Sequence, residues 1–176
     1  ELTHHSTSHW MALPAWVEEG LADYMAAMPY RSGSFNFANT GGSIASNIRK
    51  SYKKTKVENQ ILPKGVLVSY SPEHMFNLTR GSWNGLMSSD GVNGSRQYVS
   101  AMVLFYYFCR LDDKGTGKHM AQYMHAQEMD AKAGKIRSAN DLKNVKKYLL
   151  RGRSYAELME DMKKKLPKKG IKIRFK

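Results

Sequence analysis

The residues best suited to chemistry lie at the start of the chain. It opens with Glu1-Leu2-Thr3-His4-His5, so a carboxylate and an imidazole three residues apart would share one face of a helix. A further carboxylate, Glu19, follows in a second segment. Imidazole and carboxylate groups are zinc ligands in catalytic sites, and a free carboxylate nearby can accept a proton from water. Each residue alone is more often an ordinary core or surface group, so the interpretation depends on the joint pattern.

The second segment makes that joint pattern specific. It reads Pro14-Ala15-Trp16-Val17-Glu18-Glu19-Gly20-Leu21-Ala22-Asp23-Tyr24. Together the two segments resemble the gluzincin group of zinc metallopeptidases, which have His-Glu-x-x-His on one helix and a glutamate ligand on the next. The resemblance implies zinc-dependent hydrolysis of a peptide or protein substrate. It implies that His4 and Glu19 are metal ligands and that Glu1 is the general base.

The same resemblance implies two supporting residues. Glu19 is chosen over Glu18 because the motif places the ligand directly before the glycine. Asp23 lies four residues after Glu19 on the same helical face, where such a carboxylate would orient a ligand histidine. Tyr98 begins an apolar stretch in the position of a tyrosine that donates a hydrogen bond to the oxyanion. The alternative for Tyr98 is a tyrosine that packs into the core.

The first histidine of the motif would directly precede Glu1 and is not in this sequence. We therefore expect the 176 residues to form the C-terminal portion of a catalytic domain, with the natural N-terminus upstream. With His4 and Glu19 as the only protein ligands, this polypeptide should bind zinc weakly and hydrolyse little, since catalytic sites use three. The resemblance favours a bacterial protein that acts outside the cytoplasm, in the periplasm or after secretion.

Hydrophobic periodicity predicts a mainly α single domain with little β structure. The expected helices cover about 15–28, 95–111, 118–131 and 138–150, and the second is apolar nearly all round, as a buried central helix would be. Ser71 should cap a short helix, and Ser154 with Glu157 should form a capping box. Short strands are predicted within Leu62–Tyr70 and Ile171–Phe175.

Two glycine-rich stretches are predicted to be less regular. Arg31–Ser46 reads as a long loop or a weak hairpin, and Ser46–Lys56 as a helix or an extended surface segment. Thr79–Gly94 contains four glycines and reads as a loop. No stretch approaches the roughly 20 apolar residues of a membrane span. A single cysteine, Cys109, excludes an internal disulfide.

Positive charge is concentrated in the last fifth of the chain. Residues 143–176 hold 13 Lys and Arg against three Asp and Glu, so they carry +10 of the net charge of +13. A basic segment of this kind can bind an anionic partner such as nucleic acid or anionic lipid. The alternative is a solvated surface, which the absence of aromatic residues among the lysines of 162–169 favours. A non-catalytic domain that binds an anion through this segment is thus the second hypothesis.

Overall fold

The computed structural model describes residues 13–31, 33–35, 40–52, 56–89, 91–135 and 142–176. Within these residues the protein is mainly helical, which confirms the predicted fold class. The α-helices, numbered in chain order, are α1 Ala15–Ala27, α2 Thr40–Tyr52, α3 Lys56–Ile61, α4 Pro72–Asn77, α5 Arg80–Ser89, α6 Gly91–Arg110, α7 Lys118–Lys132, α8 Leu142–Asn144 and α9 Tyr155–Lys165. A π-helix, Val145–Leu150, continues α8, and short 3₁₀ turns occupy Pro63–Gly65, Asp112–Gly115 and Leu166–Lys169. No described helix has the length and apolar character needed to span a membrane.

The described strands form two small sheets. An antiparallel hairpin joins β1, Tyr30–Arg31, to β2, Ser34–Phe35. The other sheet pairs β3, Leu67–Ser69, with β4, Ile173–Phe175, in parallel and in the register Leu67 to Ile173. Both predicted strands are therefore present. Their pairing ties the end of the chain to its middle.

Helix α6 forms the centre of the core, as its all-round apolar pattern predicts. Thirteen of its 20 residues are buried, and from Val99 to Phe108 the burial is continuous. It begins at Gly91, four residues before the predicted start. The buried Ser100 hydroxyl makes two hydrogen bonds: it donates to the Arg96 carbonyl and accepts from the Tyr70 amide. Both hydrogen-bonding functions of this buried hydroxyl are thereby satisfied.

Helix α1 lies between two prolines and packs directly on α6. Pro14 is its N-cap residue, and the helix ends at Ala27, two residues before Pro29 and one residue before the predicted end. A Cβ atom at Gly20 would lie 2.6 Å from the Ala101 carbonyl oxygen and 3.1 Å from the Phe105 Cβ. Those separations are too short for any side chain. Glycine therefore allows the two helix backbones to touch.

The predicted helix caps are present. The Ser71 hydroxyl accepts a hydrogen bond from the His74 amide, with Pro72 in the first turn of α4. At α9 the Ser154 hydroxyl accepts from the Glu157 amide, and the Glu157 carboxylate accepts from the Ser154 amide. Each cap satisfies amides that the first helical turn leaves without a partner. Ser138, the first residue of the helix predicted over 138–150, lies outside the described residues.

The prediction of a loop over Thr79–Gly94 is wrong. Helix α5 occupies most of that stretch and α6 begins within it, despite the four glycines. Trp83 is 2% exposed and packs into the core, and the Gln97 side-chain amide donates to its carbonyl oxygen at 3.3 Å. Burial of one tryptophan outweighs the cost of several glycines, each about 1 kcal/mol in a helix. In the other glycine-rich stretch the hairpin is confirmed, but α2 already begins at Thr40.

A buried ionic cluster joins the end of α6 to the C-terminal helices. Asp112 is 2% exposed and forms ion pairs with Arg151 and Arg153 at 3.2 and 3.1 Å. The Tyr107 hydroxyl donates to Asp161 and accepts from Arg153. Burial and the Asp161 hydrogen bond raise the pKa of Tyr107 above its ordinary value, so the phenol keeps its proton. A buried carboxylate needs such partners, because isolated buried charge is costly.

The Gly20 contact yields a stability prediction. Gly20→Ala should lower the free energy of unfolding by about 1–3 kcal/mol, because the new methyl group collides with the backbone of α6. The matched control is Gly85→Ala within α5, where no neighbouring segment lies within 4 Å of the added methyl. That change should raise stability by up to about 1 kcal/mol through helix propensity. Urea denaturation measures both, and equal effects of the two changes would contradict the close packing.

Candidate functional site

Three of the five predicted site residues lie within the described structure. Glu1 and His4 lie outside the described residues. Glu19 and Asp23 lie one turn apart on α1, and Tyr98 lies on α6. The largest interface between elements joins these two helices. The structure therefore brings the described candidates onto one pair of packed helices.

Glu19 and Asp23 form a pair of neighbouring carboxylates. Both are partly buried. Burial, and then the nearby charge of Glu19, raise the pKa of Asp23 from its ordinary 3.8 to about 6. Among the described residues, no Lys or Arg forms an ion pair with either carboxylate. This part of α1 therefore carries concentrated negative charge that the described protein does not neutralise.

Glu18 has a different environment from its neighbour. It is 7% exposed, and its carboxylate forms an ion pair with Arg80 at the start of α5. Consecutive helical residues differ in direction by about 100°, so Glu18 turns towards α5 while Glu19 shares a face with Asp23. The ion pair with Arg80 gives Glu18 a structural role. Glu19 is the glutamate left available to a ligand.

Tyr98 is held on α6 by an aromatic contact. Its ring meets Trp83 of α5 edge to face, with centroids 5.6 Å apart. It lies one helical turn before Ala101, whose carbonyl faces Gly20. The side chain is partly exposed. Tyr98 thus lies near the contact of α1 and α6, and the edge-to-face contact accounts for its core packing.

A cleft between α1 and α2 is the feature that the sequence did not predict. One cavity of about 420 Å³ is lined by Ala27, Met28, Pro29, Gly42, Ser43, Ser46, Asn47 and Lys50. An adjoining cavity of about 210 Å³ reaches inward and is lined by Asp23, Ala26, Ala27, Asn47, Ile48, Lys50, Val99 and Met102. We call the two together the α1–α2 cleft. The sequence did not predict a helix over 40–52. Such a helix would have placed the polar residues of α2 on one face and so indicated the cleft.

The described donor atoms do not by themselves complete a metal centre. Within the described ranges, no group of three or more His, Cys, Asp or Glu side chains is close enough to hold a metal ion. Glu19 and Asp23 supply carboxylates, and the predicted His4 and Glu1 fall outside these ranges. Cys109 is a poor ligand, because burial raises the pKa of its thiol to about 12.

Comparisons with known proteins add no family. The chain matches no protein-family model, and searches of curated proteins and of solved structures find no significant match.

The raised pKa of Asp23 predicts a pH-dependent stability. The folded chain holds this proton more tightly than the unfolded chain, so stability should fall as the pH rises from about 4 to about 6. Asp23→Asn should remove that decline in the metal-free protein. At pH 7 it should raise the free energy of unfolding by about 1–2 kcal/mol, less than the full shift because the carboxyl keeps some solvent contact.

Urea denaturation at pH 4.5 and pH 7 would measure this effect. Glu160→Gln is the control, since that carboxylate is 70% exposed and pairs only at the surface with Lys163. The control should retain the pH dependence of the parent protein. A decline that persists unchanged in Asp23→Asn would show that another group causes it.

Proposed function

We propose that this sequence carries part of a gluzincin-type zinc peptidase site, in which His4 and Glu19 bind the metal. One observation carries the proposal. In the run that resembles the motif, Glu18 is neutralised by Arg80, whereas Glu19 and Asp23 lie together without a cationic partner among the described residues. This difference supports Glu19, the glutamate directly before Gly20, as the ligand.

The carboxylate pair suits a divalent cation. Two neighbouring carboxylates in a partly buried position repel each other, and their ionised forms are disfavoured by desolvation. A bound cation reverses this cost, because it supplies the largest local charge and favours the ionised state. Glu19 would contribute an oxygen ligand, and Asp23 would accept a hydrogen bond from the ligand His4.

The remaining residues fit peptide hydrolysis. Zinc would supply the Lewis acid that activates water and polarises the peptide carbonyl. Glu1 would take the proton from water and return it to the leaving amine. The phenol of Tyr98 would donate a hydrogen bond to the developing oxyanion, a contribution of about 2.7–4 kcal/mol for comparable donors.

The packing around α1 supports a rigid site. Trp16 is 1% exposed and lies against Phe76 and Tyr123, with ring centroids 5.3 and 6.2 Å away. Gly20 fixes the helix against α6 at the position next to Glu19. Ligands on well-packed helices keep their geometry better than ligands on loops.

Zinc affinity tests the proposal directly. The test version carries four alanines followed by a histidine directly before Glu1. The histidine completes the His-Glu-x-x-His pattern, and the five added residues are long enough for one helical turn. This version should retain zinc after dialysis, and Glu19→Gln should weaken binding by more than the roughly 10- to 100-fold typical of losing an outer partner. Asp23→Asn should fall within that range. Chelator competition measures each dissociation constant.

Glu18→Gln is the matched control, since it makes the same change one residue away on a group already paired with Arg80. It should leave zinc affinity unchanged. Glu1→Gln should retain zinc and lose chelator-sensitive peptide cleavage, because it removes the proton acceptor and no ligand. Equal zinc binding by the Glu18 and Glu19 variants would exclude Glu19 as a ligand.

A second candidate function is binding of an anionic partner through the end of the chain. The structure divides the basic segment into two parts. Arg151 and Arg153 are paired with buried Asp112. Beyond α9, the cations are exposed and form no ion pairs with the described residues: Lys168, Lys169, Lys172, Arg174 and Lys176. Arg174 of β4 and the flanking Lys172 and Lys176 alternate with Ile173 and Phe175, which pack on the core, so the three cations lie on the outward side.

The salt dependence of binding distinguishes a basic surface that binds an anionic partner from one that is only solvated. The chain should bind a short labelled DNA duplex with an affinity that falls steeply with salt. Replacing Lys172, Arg174 and Lys176 with Gln should reduce the log–log slope by about 2–3. The control pair Lys163→Gln and Lys165→Gln removes cations that already have partners on α9, and should change the slope less. Fluorescence anisotropy measures both, and equal slopes for all versions would favour the solvated surface.

A further inference from the structure

The α1–α2 cleft has the size of a ligand site. Its two adjoining cavities measure about 420 and 210 Å³ and share Ala27, Asn47 and Lys50 along their common boundary. Small-molecule sites are usually clefts of about 300–1,000 Å³ with a few polar groups placed on an apolar lining. Asp23, one turn from Glu19 on α1, lines the inner cavity. The cleft therefore leads to the carboxylates of the candidate metal site.

The outer wall of the cleft is a polar stripe on α2. Ser43, Ser46, Asn47 and Lys50 are spaced by three and four residues, so they lie on one face of the helix. All four line the outer cavity. Within the described part of the chain, no carboxylate forms an ion pair with Lys50, and Asn47 makes no side-chain hydrogen bond. An ammonium and an amide are thus available for an acceptor group.

Beyond Asn47 and Lys50, which both cavities share, the inner part of the cleft is lined by apolar side chains and Asp23. Ile48, Val99 and Met102 line it, and each is at most 5% exposed in the folded chain. The cleft therefore offers a cation and an amide at the boundary of its two cavities and an apolar lining further in. A ligand that fits both parts has an anionic group beside a short apolar body.

We propose that the α1–α2 cleft binds the C-terminal residue of a peptide with an apolar side chain. The free carboxylate meets Lys50 and Asn47, and the side chain lies against Val99 and Met102. The rest of the peptide then runs past Asp23 towards Glu19. This inference rests on the proposed function and names its substrate class: peptides with a free C-terminus, cleaved near that end.

The test measures binding of two peptides that differ only at the C-terminus. N-acetyl-Ala-Ala-Leu and its C-terminal amide are titrated into the metal-free 176-residue chain by calorimetry. The acid should bind about 10- to 100-fold more tightly, as expected for a charge-assisted hydrogen bond. Lys50→Gln should abolish that difference, and Lys50→Arg should restore most of it.

Arg49→Gln is the matched control, because Arg49 is the neighbouring cation of α2 and its guanidinium lies beside Gly65, outside the cleft lining. It should leave the preference for the acid unchanged. The Met102 methyl NMR signal should shift with the acid peptide, whereas the signals of exposed Met87 and Met129 should not.

Absence of binding by both peptides, equal affinity of the acid and the amide, or equal effects of the Lys50 and Arg49 variants would overturn the proposal. Because no metal or turnover enters this experiment, its outcome is independent of the zinc measurements. If the protein fails to bind zinc but still binds the acid peptide more tightly than the amide, the cleft remains a binding site for a peptide carboxylate, without catalysis.

Discussion

The contact between α1 and α6 at Gly20 is the constraint on which the rest of the described structure depends. The backbone of α6 approaches so closely at Ala101 that no Cβ atom fits. That approach buries Trp16 and Tyr24 on one side of α1 and leaves its other side facing outward. Helices normally keep 8–10 Å between their axes, and glycine is the residue that allows the smaller separations. The orientation of α1 follows from this one position.

Once α1 is fixed, its three acidic residues meet different surroundings. Glu18 faces α5 and forms an ion pair with Arg80, whereas Asp23 lines the cleft between α1 and α2 and Glu19 lies one turn before it on α1. The resulting electrostatic asymmetry comes from helical phase, since about 100° separates consecutive residues. The same geometry places Lys50 on the far wall of the α1–α2 cleft. Two packed helices thus line one cleft with a carboxylate and an ammonium group.

Local signals predicted the elements that local physics controls. Hydrophobic periodicity marked α1, an all-round apolar pattern marked α6, and the Ser71 and Ser154 caps appear as expected. Thr79–Gly94 was mispredicted because glycine content is a local signal, while the helix there is held by burial of Trp83. The pairing of β3 with β4 joins segments about a hundred residues apart. No local pattern encodes such a pairing.

For the candidate site, the sequence by itself determined which residues could do chemistry. It placed Glu19 and Asp23 on one helical face, because the spacing of four is a property of any α-helix. Only the tertiary structure decided that Arg80 neutralises Glu18, that burial raises the pKa of Asp23, and that α2 closes a cleft beside it. These outcomes depend on groups from other elements, and desolvation and ion pairing arise only when packing brings such groups together.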